Sequence, residues 1–248
     1  MENIVYDIRW SDQLDEKFIY DFLYVQHEVF HSGSREEFRR QFEDNIYGES
    51  IVVVVYIDGS PVAARGLWRN DIDGEEAYQP GSTCVLPICR GKGIFKEMTM
   101  QAIAKLPNTA CIYNFPNPNS FPGYIKMGWK LFHDYRSRLY LSYKAYQKEH
   151  PIKVDSSYVD WWFAGKNLCY VKRCGHYFLV QKDYRPLCWR ILAEVNRESA
   201  LKFPKIKLGV LFYKSTKATW YNKQLGVSHV VCKNSDIKHI PTWKIDAI

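Results

Sequence analysis

Residues 83–106 pass from an apolar run to a glycine-rich turn and then to a helical pattern, and this order constrains the fold more than any other segment. The apolar run ends at Pro87, which cannot donate a ladder hydrogen bond and therefore closes a strand. Apolar residues then recur at helical spacing from Phe95 to Leu106. A strand, a glycine turn and a helix N-terminus together predict an anion site, because the unpaired N–H groups of the first helical turn point outward at the positive end of the helix dipole.

The turn itself reads Arg-Gly-Lys-Gly-Ile-Phe over residues 90–95 and is suited to a phosphate. Its two glycines let a ligand approach the backbone closely, and its two cations add charge. The spacing is neither the Gly-x-x-x-x-Gly-Lys-Ser/Thr of P-loop nucleotide hydrolases nor the Gly-x-Gly-x-x-Gly of dinucleotide-binding folds. The ligand is therefore expected to belong to another class of phosphate-bearing molecules.

A second motif follows a predicted buried strand at 110–115. Residues 116–129 read Pro-Asn-Pro-Asn-Ser-Phe-Pro-Gly-Tyr-Ile-Lys-Met-Gly-Trp. Asn119 or Ser120 can cap a short helix, which is typical of such polar residues before a first turn that contains proline. Gly128 supplies a left-handed stop, and Trp129 begins another strand.

The two motifs resemble those of the GNAT N-acetyltransferases. The order Arg90-x-x-Gly93-x-Phe95 is similar to that family's acetyl-CoA pyrophosphate loop, Arg/Gln-x-x-Gly-x-Gly/Ala, and departs from it at Phe95. The departure is tolerated if the backbone N–H holds the phosphate, since Phe95 lies on the apolar stripe and can point inward. Tyr124 and Gly128 have the spacing of the family's Tyr-x-x-x-Gly-aromatic element.

The resemblance covers roughly residues 1–145 and implies an α/β (α+β) fold with a mixed, splayed sheet flanked by helices. The expected order is strand, two helices, three antiparallel strands, helix, strand, helix and two strands. Matching segments are a strand at 6–8, a helix over 18–29, a capping box at 34–37, and strands at 50–57, 61–70 and 76–86. In such sheets the fourth and fifth strands part, here near 78–86 and 110–115, and the pantetheine arm lies in the gap.

The C-terminal part of the chain is predicted to form a second αβ unit. The expected division is a GNAT domain at 1–145, a polar linker at 146–157 and a C-terminal domain at 158–248. Strands are predicted at 167–171, 177–181 and 208–213, and a helix from the spacing of Trp189, Leu192 and Val195. Residues 220–227 faintly echo 124–129, while residues 184–187 carry no glycine loop where one would be needed. The unit is either a degenerate GNAT-like half or an unrelated accessory domain, and it is expected to shape the acceptor side or a homodimer interface.

The resemblance also implies roles for particular residues. Tyr124 matches the position of the acid that protonates the departing thiolate, and an ordinary tyrosine, with a pKa of about 10, is a competent donor. Cofactor contacts are implied for Val85, Arg90, Gly91, Lys92, Gly93, Ile94, Phe95, Asn117 and Asn119. A backbone N–H near Val85 would stabilise the oxyanion. The general base is not identified, because residues 78–83 contain no acid, and Glu75, Glu76, His27 and His31 are better explained as surface residues.

Composition limits the partners. The net charge of +7 suits an anionic ligand, and without a basic helix or nucleic-acid motif it predicts a mildly basic surface rather than nucleic-acid binding. No apolar run approaches the ~20 residues that span a bilayer. Seven scattered cysteines favour a reducing cytoplasm, and the spacing of Cys169, Cys174 and His176 is not a usual zinc pattern, so no metal is expected.

The acceptor is implied only by resemblance. Residues 79–81 and 114–117 resemble a bacterial subgroup encoded with surface-polysaccharide genes, whose acceptor would be an amino sugar, nucleotide-linked or lipid-linked. A small amine or a protein amine as acceptor, and acyl groups other than acetyl, remain open. Two other classes of function also remain open. One is a tandem-GNAT aminoacyltransferase of the Fem type that uses aminoacyl-tRNA, against which the intact loop at 90–93 argues. The other is a catalytically silent GNAT domain that serves as a binding module.

Overall fold

The computed structural model describes residues 2–216, 227–233, 240–241 and 244 of the 248-residue chain. These residues form two compact units. The first unit contains residues 2–130 and 231–233, and the second contains the other described residues.

The first unit is a mixed sheet with helices. Its strands are β1 Ile4–Trp10, β2 Ile51–Ile57, β3 Ser60–Arg69, β4 Ala77–Val85, β5 Cys111–Asn114 and residues 231–233 of β11 (Val227–Lys233). Its helices are α1 Glu16–Phe30, α2 Arg35–Phe38, α3 Ile94–Ala104 and α4 Phe121–Lys126. A π-helical turn, Arg39–Glu43, continues α2, and 3-10 turns lie at Ser11–Gln13 and Pro87–Cys89.

The strand order in this unit is β1-β2-β3-β4-β5-β11. The first four strands are antiparallel neighbours, β5 runs parallel to β4, and β11 runs antiparallel to β5 with Cys232 opposite Tyr113. A right-handed crossover through a helix is the usual way to join two parallel strands, and α3 occupies the connection between β4 and β5. The segment that carries the glycine loop is therefore the crossover of the sheet.

Local sequence signals explain the early elements. Asp58 and Gly59 have φ angles of +48° and +81°, the left-handed pair that a two-residue hairpin needs, and they join β2 to β3. Ser34 and Glu37 form the predicted capping box at the start of α2. The predicted strands and helices of residues 6–86 are confirmed, with boundaries shifted by a few residues at most strand ends.

Gly66 marks the closest approach between β3 and the π-helical turn. A Cβ on Gly66 would overlap with Cζ of Phe42, at a separation that real Cβ atoms do not tolerate. Phe42 is itself buried against Phe22 and Phe38, so it has little room to move. The glycine is therefore required by packing.

We expect Gly66→Ala to lower the free energy of unfolding by about 3 kcal/mol, because overpacking a dense core costs roughly this much. Chemical denaturation would measure the loss. Its control is the double variant with Phe42→Leu, which shortens the clashing ring and should be less destabilised than the sum of the two single variants. Additive losses would contradict the assignment of the effect to this contact.

The second unit has its own sheet and core. Its strands are β6 Lys130–Leu139, β7 Cys169–Arg173, β8 His176–Lys182, β9 Cys188–Val195, β10 Val210–Ser215 and residues 227–230 of β11. Its helices are α5 Tyr143–Glu149, α6 Ser156–Tyr158, which a π-helical turn Val159–Phe163 continues, and α7 Arg197–Ala200.

The topology of the second unit repeats that of the first. Strands β7, β8 and β9 form an antiparallel meander, β10 runs parallel to β9, and β6 runs antiparallel to β10. The first unit has the same sequence of pairings in β2, β3, β4, β5 and β11. In each unit the last strand comes from a different part of the sequence than the preceding four. This repeated topology favours the first of the two alternatives for the second unit, a degenerate GNAT-like half, over an unrelated domain.

The predicted helix around Trp189, Leu192 and Val195 is wrong, because these residues lie in strand β9. Residues 191–195 are all buried, so the side chains on both faces of β9 are covered. A strand covered on both faces loses its alternating pattern, and its apolar residues can then coincide with helical spacing. The predicted echo at 220–227 falls on residues 220–226, outside the described residues, and on Val227, the first residue of β11.

The predicted linker at 146–157 includes the end of α5, and Tyr146 is buried in the core of the second unit. The domain boundaries at 145 and 158 stay a prediction. In the part of the chain that the structure describes, no helix has the length and apolar character needed to cross a membrane.

Candidate functional site

The glycine loop lies between β4 and α3 as the sequence predicts. Strand β4 ends at Val85, and Gly91 and Gly93 have φ angles of +81° and +78°, a region that L side chains rarely adopt. A Cβ at either glycine would meet nothing within 4 Å, so the space over both is open. The backbone of the loop is therefore open to a ligand. A residue other than glycine at position 91 or 93 would strain the backbone conformation.

Helix α3 begins directly after this loop with no side chain capping its first turn. Gly93 is the N-cap, and the first intrahelical hydrogen bond is donated by the N–H of Glu97 to the carbonyl of Gly93 at 3.1 Å. The N–H groups of Ile94, Phe95 and Lys96 precede that bond. A helix N-terminus that follows two left-handed glycines can bind an oxyanion through its backbone.

The two cations of the loop differ in their pairing. Arg90 Nε donates to the carbonyl of Val85 at 3.1 Å, and within the described residues the Arg90 guanidinium has no carboxylate partner. Lys92 Nζ lies 2.6 Å from both carboxylate oxygens of Glu2, and this hydrogen bond raises the pKa of Lys92. The loop thus holds one cation whose charge is not neutralised, at Arg90.

Phe95 points inward, as its place on the apolar stripe predicts. It packs against the core of the first unit, and its ring centroid lies 5.7 Å from that of Tyr124 in an edge-to-face contact. Gly123 allows this approach, since a Cβ there would lie 3.1 Å from the Phe95 ring. Because the Phe95 side chain points inward, it does not cover the backbone of the loop. Its contact with Tyr124 connects the loop to α4.

Strands β4 and β5 are joined only over a short stretch. Their parallel pairing comprises Ala77 with Cys111 and Tyr78 with Ile112, whereas β4 continues to Val85. The two strands therefore part beyond Tyr78, and the gap predicted between them exists in the first unit. Val85 ends β4, where the strand is still paired with Ala63 of β3 but no longer with β5, and the glycine loop follows it.

Tyr124 lies on α4 and is 2% exposed. Its Oη accepts a hydrogen bond of 2.7 Å from Nη2 of Arg65, which is fully buried on β3. Gly128 ends the helix with a φ of +82°, and Trp129 then packs edge-to-face on the Tyr124 ring at 4.8 Å. Packing thus fixes the phenol ring from several sides. Sequence reasoning missed Arg65, for which the signal is a cation in the middle of an otherwise apolar run over residues 61–68.

Asn117 and Asn119 begin the connection into α4. Asn117 Oδ1 accepts from the N–H groups of Asn119 at 3.0 Å and Ser120 at 2.9 Å. Ser120 occupies the N-cap position but makes no side-chain cap, so the capping role belongs to Asn117. Because this turn uses Oδ1, only the amide Nδ2 of Asn117 could still donate to a ligand. Both asparagines are exposed.

Among the residues that the structure describes, none of the four candidate bases is identified as a general base at this gap. Glu76 accepts from the Tyr78 hydroxyl at 2.8 Å; burial and then this hydrogen bond raise the pKa of Tyr78. Glu75, His27 and His31 are exposed. A different irregularity marks β4, where the register with β3 shifts opposite Arg65 and Ser82 has a φ of +49°. Such bulges are frequent next to active sites.

The second unit has no counterpart of the glycine loop among its described residues. Its crossover from β9 to β10 contains α7, which has four residues and whose first turn is capped by Asn196 through a 2.7 Å bond to the N–H of Ser199. Residues 184–187 instead connect β8 to β9, so the expected position of the loop was wrong although its absence after β9 holds. In the part of the chain that the structure describes, no group of three or more His, Cys, Asp and Glu side chains could hold a metal ion.

Comparisons with known proteins give structural matches only. No protein-family model and no curated protein sequence matches the chain. A GCN5-related N-acetyltransferase from Kribbella flavida has a TM-score of 0.52 and 12% identity and covers 92% of this chain and 71% of its own. A protein from Enterococcus faecalis, described as a probable N-acyltransferase, has a TM-score of 0.55 at 12% identity, covering 93% and 72%. A proposed acetyltransferase from Pyrococcus horikoshii has a TM-score of 0.53 at 12% identity, covering 96% and 91%.

These neighbours cover nearly the whole chain, including both units. The chain therefore has the fold of the GCN5-related N-acetyltransferases, with a mixed sheet flanked by helices in the first unit and a topological repeat in the second.

Proposed function

We propose that this chain is an acyl-CoA-dependent N-acyltransferase that transfers acetyl from acetyl-CoA directly to a primary amine. The observation that carries the proposal is the open glycine loop at the N-terminus of α3, beside the parting of β4 and β5. The pyrophosphate binds the N–H groups of residues 93–95 and the Arg90 guanidinium, and the pantetheine arm enters the gap between the strands. The fold supports this choice of class.

The protein then contributes to the reaction in three ways. Holding amine and thioester together supplies part of the barrier, up to about 7–11 kcal/mol for well-oriented reactants. The amine attacks the thioester carbonyl, and a backbone N–H near Val85 stabilises the oxyanion that forms. As the C–S bond breaks, the electron pair passes to sulfur, and Tyr124 donates its proton to the thiolate. The nitrogen loses its extra proton to water.

The acceptor is proposed to be a small-molecule amine, with an amino sugar of bacterial surface-polysaccharide synthesis as the leading candidate. This choice rests on the resemblance of residues 79–81 and 114–117 to a bacterial subgroup. A primary amine on a sugar has the nucleophile that the reaction requires. The site would act in the cytoplasm, where acetyl-CoA is available.

Calorimetric titration with acetyl-CoA tests the cofactor, and desulfo-CoA and tRNA are its comparison ligands. Saturable binding of acetyl-CoA and desulfo-CoA is expected, and at 100 times Kd the ligand stabilises the fold by about 2.7 kcal/mol. Stabilisation by tRNA alone would instead favour an aminoacyl-tRNA-dependent transferase. Binding of acetyl-CoA with no turnover of any acceptor would favour a silent binding module.

Release of free CoA thiol, measured against free amino sugars, nucleotide-linked amino sugars, polyamines and peptide amines, tests the reaction. The assay should use Cys174→Ser protein, because Cys174 is exposed and would react with a thiol reagent. Cys84 needs no such change, since burial raises its pKa to about 12. Amine-dependent release is expected for the amino sugars. Release that no amine accelerates would contradict the proposed transfer.

A further inference from the structure

Arg65 is a fully buried cation without a compensating carboxylate among the described residues. It lies on β3 between Ala64 and Gly66, and its exposed fraction is 0%. Its guanidinium carbon lies 5.3 Å from the centroid of the Phe95 ring and 5.7 Å from that of Tyr124. A buried charge is unfavourable unless it is paired, so its retention here calls for a role.

The hydrogen bonds of Arg65 are incomplete. Nη2 donates to Tyr124 Oη at 2.7 Å, while Nε and Nη1 are buried and have no hydrogen-bond partner in the described structure. The two neighbouring rings offer their π faces, which attract a cation but accept no strong hydrogen bond. The only oxygen that the Arg65 side chain reaches among the described residues is therefore the phenol oxygen of Tyr124.

The chemistry of the pair fixes which atom carries the free proton. A guanidinium has donors only, so Tyr124 Oη must be the acceptor of this bond. The hydroxyl proton of Tyr124 then points away from Arg65 and is available to another acceptor. A tyrosine held in this way is prepared to donate.

We infer that Arg65 is the positioning residue for Tyr124 as the proton donor, and that it stabilises the phenolate left after donation. This inference rests on the proposed function. In the step, the O–H bond of Tyr124 breaks and an S–H bond forms on the thiolate that leaves when the C–S bond breaks. The phenolate then carries the negative charge 2.7 Å from the Arg65 guanidinium until it takes a proton back from water.

Stabilisation of the phenolate by Arg65 would favour the proton transfer from Tyr124 to the thiolate. An ordinary tyrosine, with a pKa of about 10, transfers a proton to a thiolate whose acid has a pKa of about 8.5 with an equilibrium that is unfavourable by roughly 30-fold. A cation beside the phenolate offsets this deficit, and in a buried setting its field is weakly screened. Arg65 also supplies the hydrogen bond that an isolated phenolate would otherwise lack.

A double-mutant cycle of Arg65→Met and Tyr124→Phe tests the inference with acetyl-CoA and the fastest amine of the panel. Arg65→Met should lower kcat by about 30- to 100-fold and change the KM for acetyl-CoA by less than about threefold. Arg65→Lys, which keeps a cation, should recover most of the loss. In the Tyr124→Phe background, Arg65→Met should change kcat by less than about threefold, because the residue acts through the phenol.

Two comparisons separate this role from a structural one. A merely structural loss would not depend on the presence of the Tyr124 hydroxyl, and it would not be recovered by Arg65→Lys. Arg69→Met is the matched control, since it removes a guanidinium from the same strand, where Arg69 pairs with Asp71. It should leave both kcat and the KM for acetyl-CoA unchanged.

The outcomes distinguish the two proposals. If wild-type protein binds no acetyl-CoA and releases no thiol, the proposed function fails and the role of Arg65 fails with it. If the wild type is active but Arg65→Met lowers kcat equally in both backgrounds, only the inference about Arg65 is overturned. An unchanged kcat in a folded Arg65→Met protein would overturn it as well.

Discussion

Tyr124→Phe should lower kcat by about 10²- to 10⁴-fold while acetyl-CoA still binds, because a general acid contributes roughly this much to a proton transfer. Packing of the ring against Phe95 and Trp129 does not require the hydroxyl, so the variant should keep the arrangement of α4. Steady-state kinetics with calorimetric titration would separate the loss in kcat from any change in cofactor affinity.

Stability will change together with activity in this variant. Loss of Oη leaves Nη2 of Arg65 without its acceptor, which should lower the free energy of unfolding by about 1–3 kcal/mol. Kinetics should therefore be measured well below the Tm of the variant. Tyr113→Phe is the matched control, because Tyr113 is also buried and its hydroxyl donates to the Asn70 carbonyl at 3.0 Å.

The control should lose about 1 kcal/mol of stability and keep its kcat. If Tyr124→Phe also keeps kcat within about threefold of wild type while chemistry limits the rate, the acid role is wrong. Water would then protonate the thiolate, and Arg65 would need another explanation.

Gly93→Asp should weaken acetyl-CoA binding by at least about 100-fold. Two effects combine, since an aspartate at a φ of +78° is strained and its carboxylate would lie beside the proposed pyrophosphate position at the start of α3. Gly93→Ala separates them, because it adds strain without charge and should lose less affinity. Calorimetric titration measures both.

The control for Gly93→Asp is Gly74→Asp. Gly74 has a φ of +83°, and a Cβ there would also meet nothing within 4 Å, but it lies in the turn between β3 and β4. The substitution should cost similar stability and leave acetyl-CoA affinity unchanged. Equal affinity in the Gly93→Asp variant and wild type would place the pyrophosphate elsewhere.

The sequence correctly predicted those features that depend on residues close together in the chain. The glycine loop, the inward direction of Phe95 and the position of Gly128 each follow from neighbouring residues that set a turn or a helical stripe. The sequence placed the cap of α4 at Asn119 or Ser120, whereas Asn117 has this role in the structure, and the contact of Asn117 with a ligand stays a prediction.

Features that depend on residues far apart in the chain could be found only from the tertiary structure. Arg65 and Tyr124 are 59 positions apart in the sequence, and no helical or strand periodicity indicates that they are in contact. Strand β9 was mistaken for a helix because its residues 191–195 are buried on both faces of the strand, which removes the alternating pattern. The last strand of each unit was also unpredictable, since pairing partners are set by the whole sheet.

Strand β11 lies far downstream of its neighbour β5 in the sequence, and this separation has a consequence for folding during synthesis. Strand β5 ends at Asn114, yet its antiparallel neighbour is not made until residues 231–233. At about 5–20 residues per second, the nascent first unit waits roughly 6–24 s with one side of β5 lacking that neighbour. An open strand edge is a template for pairing with other chains. A fragment that stops after residue 145 would never gain this neighbour, so the part of the chain that carries the glycine loop is expected to self-associate when it is produced alone.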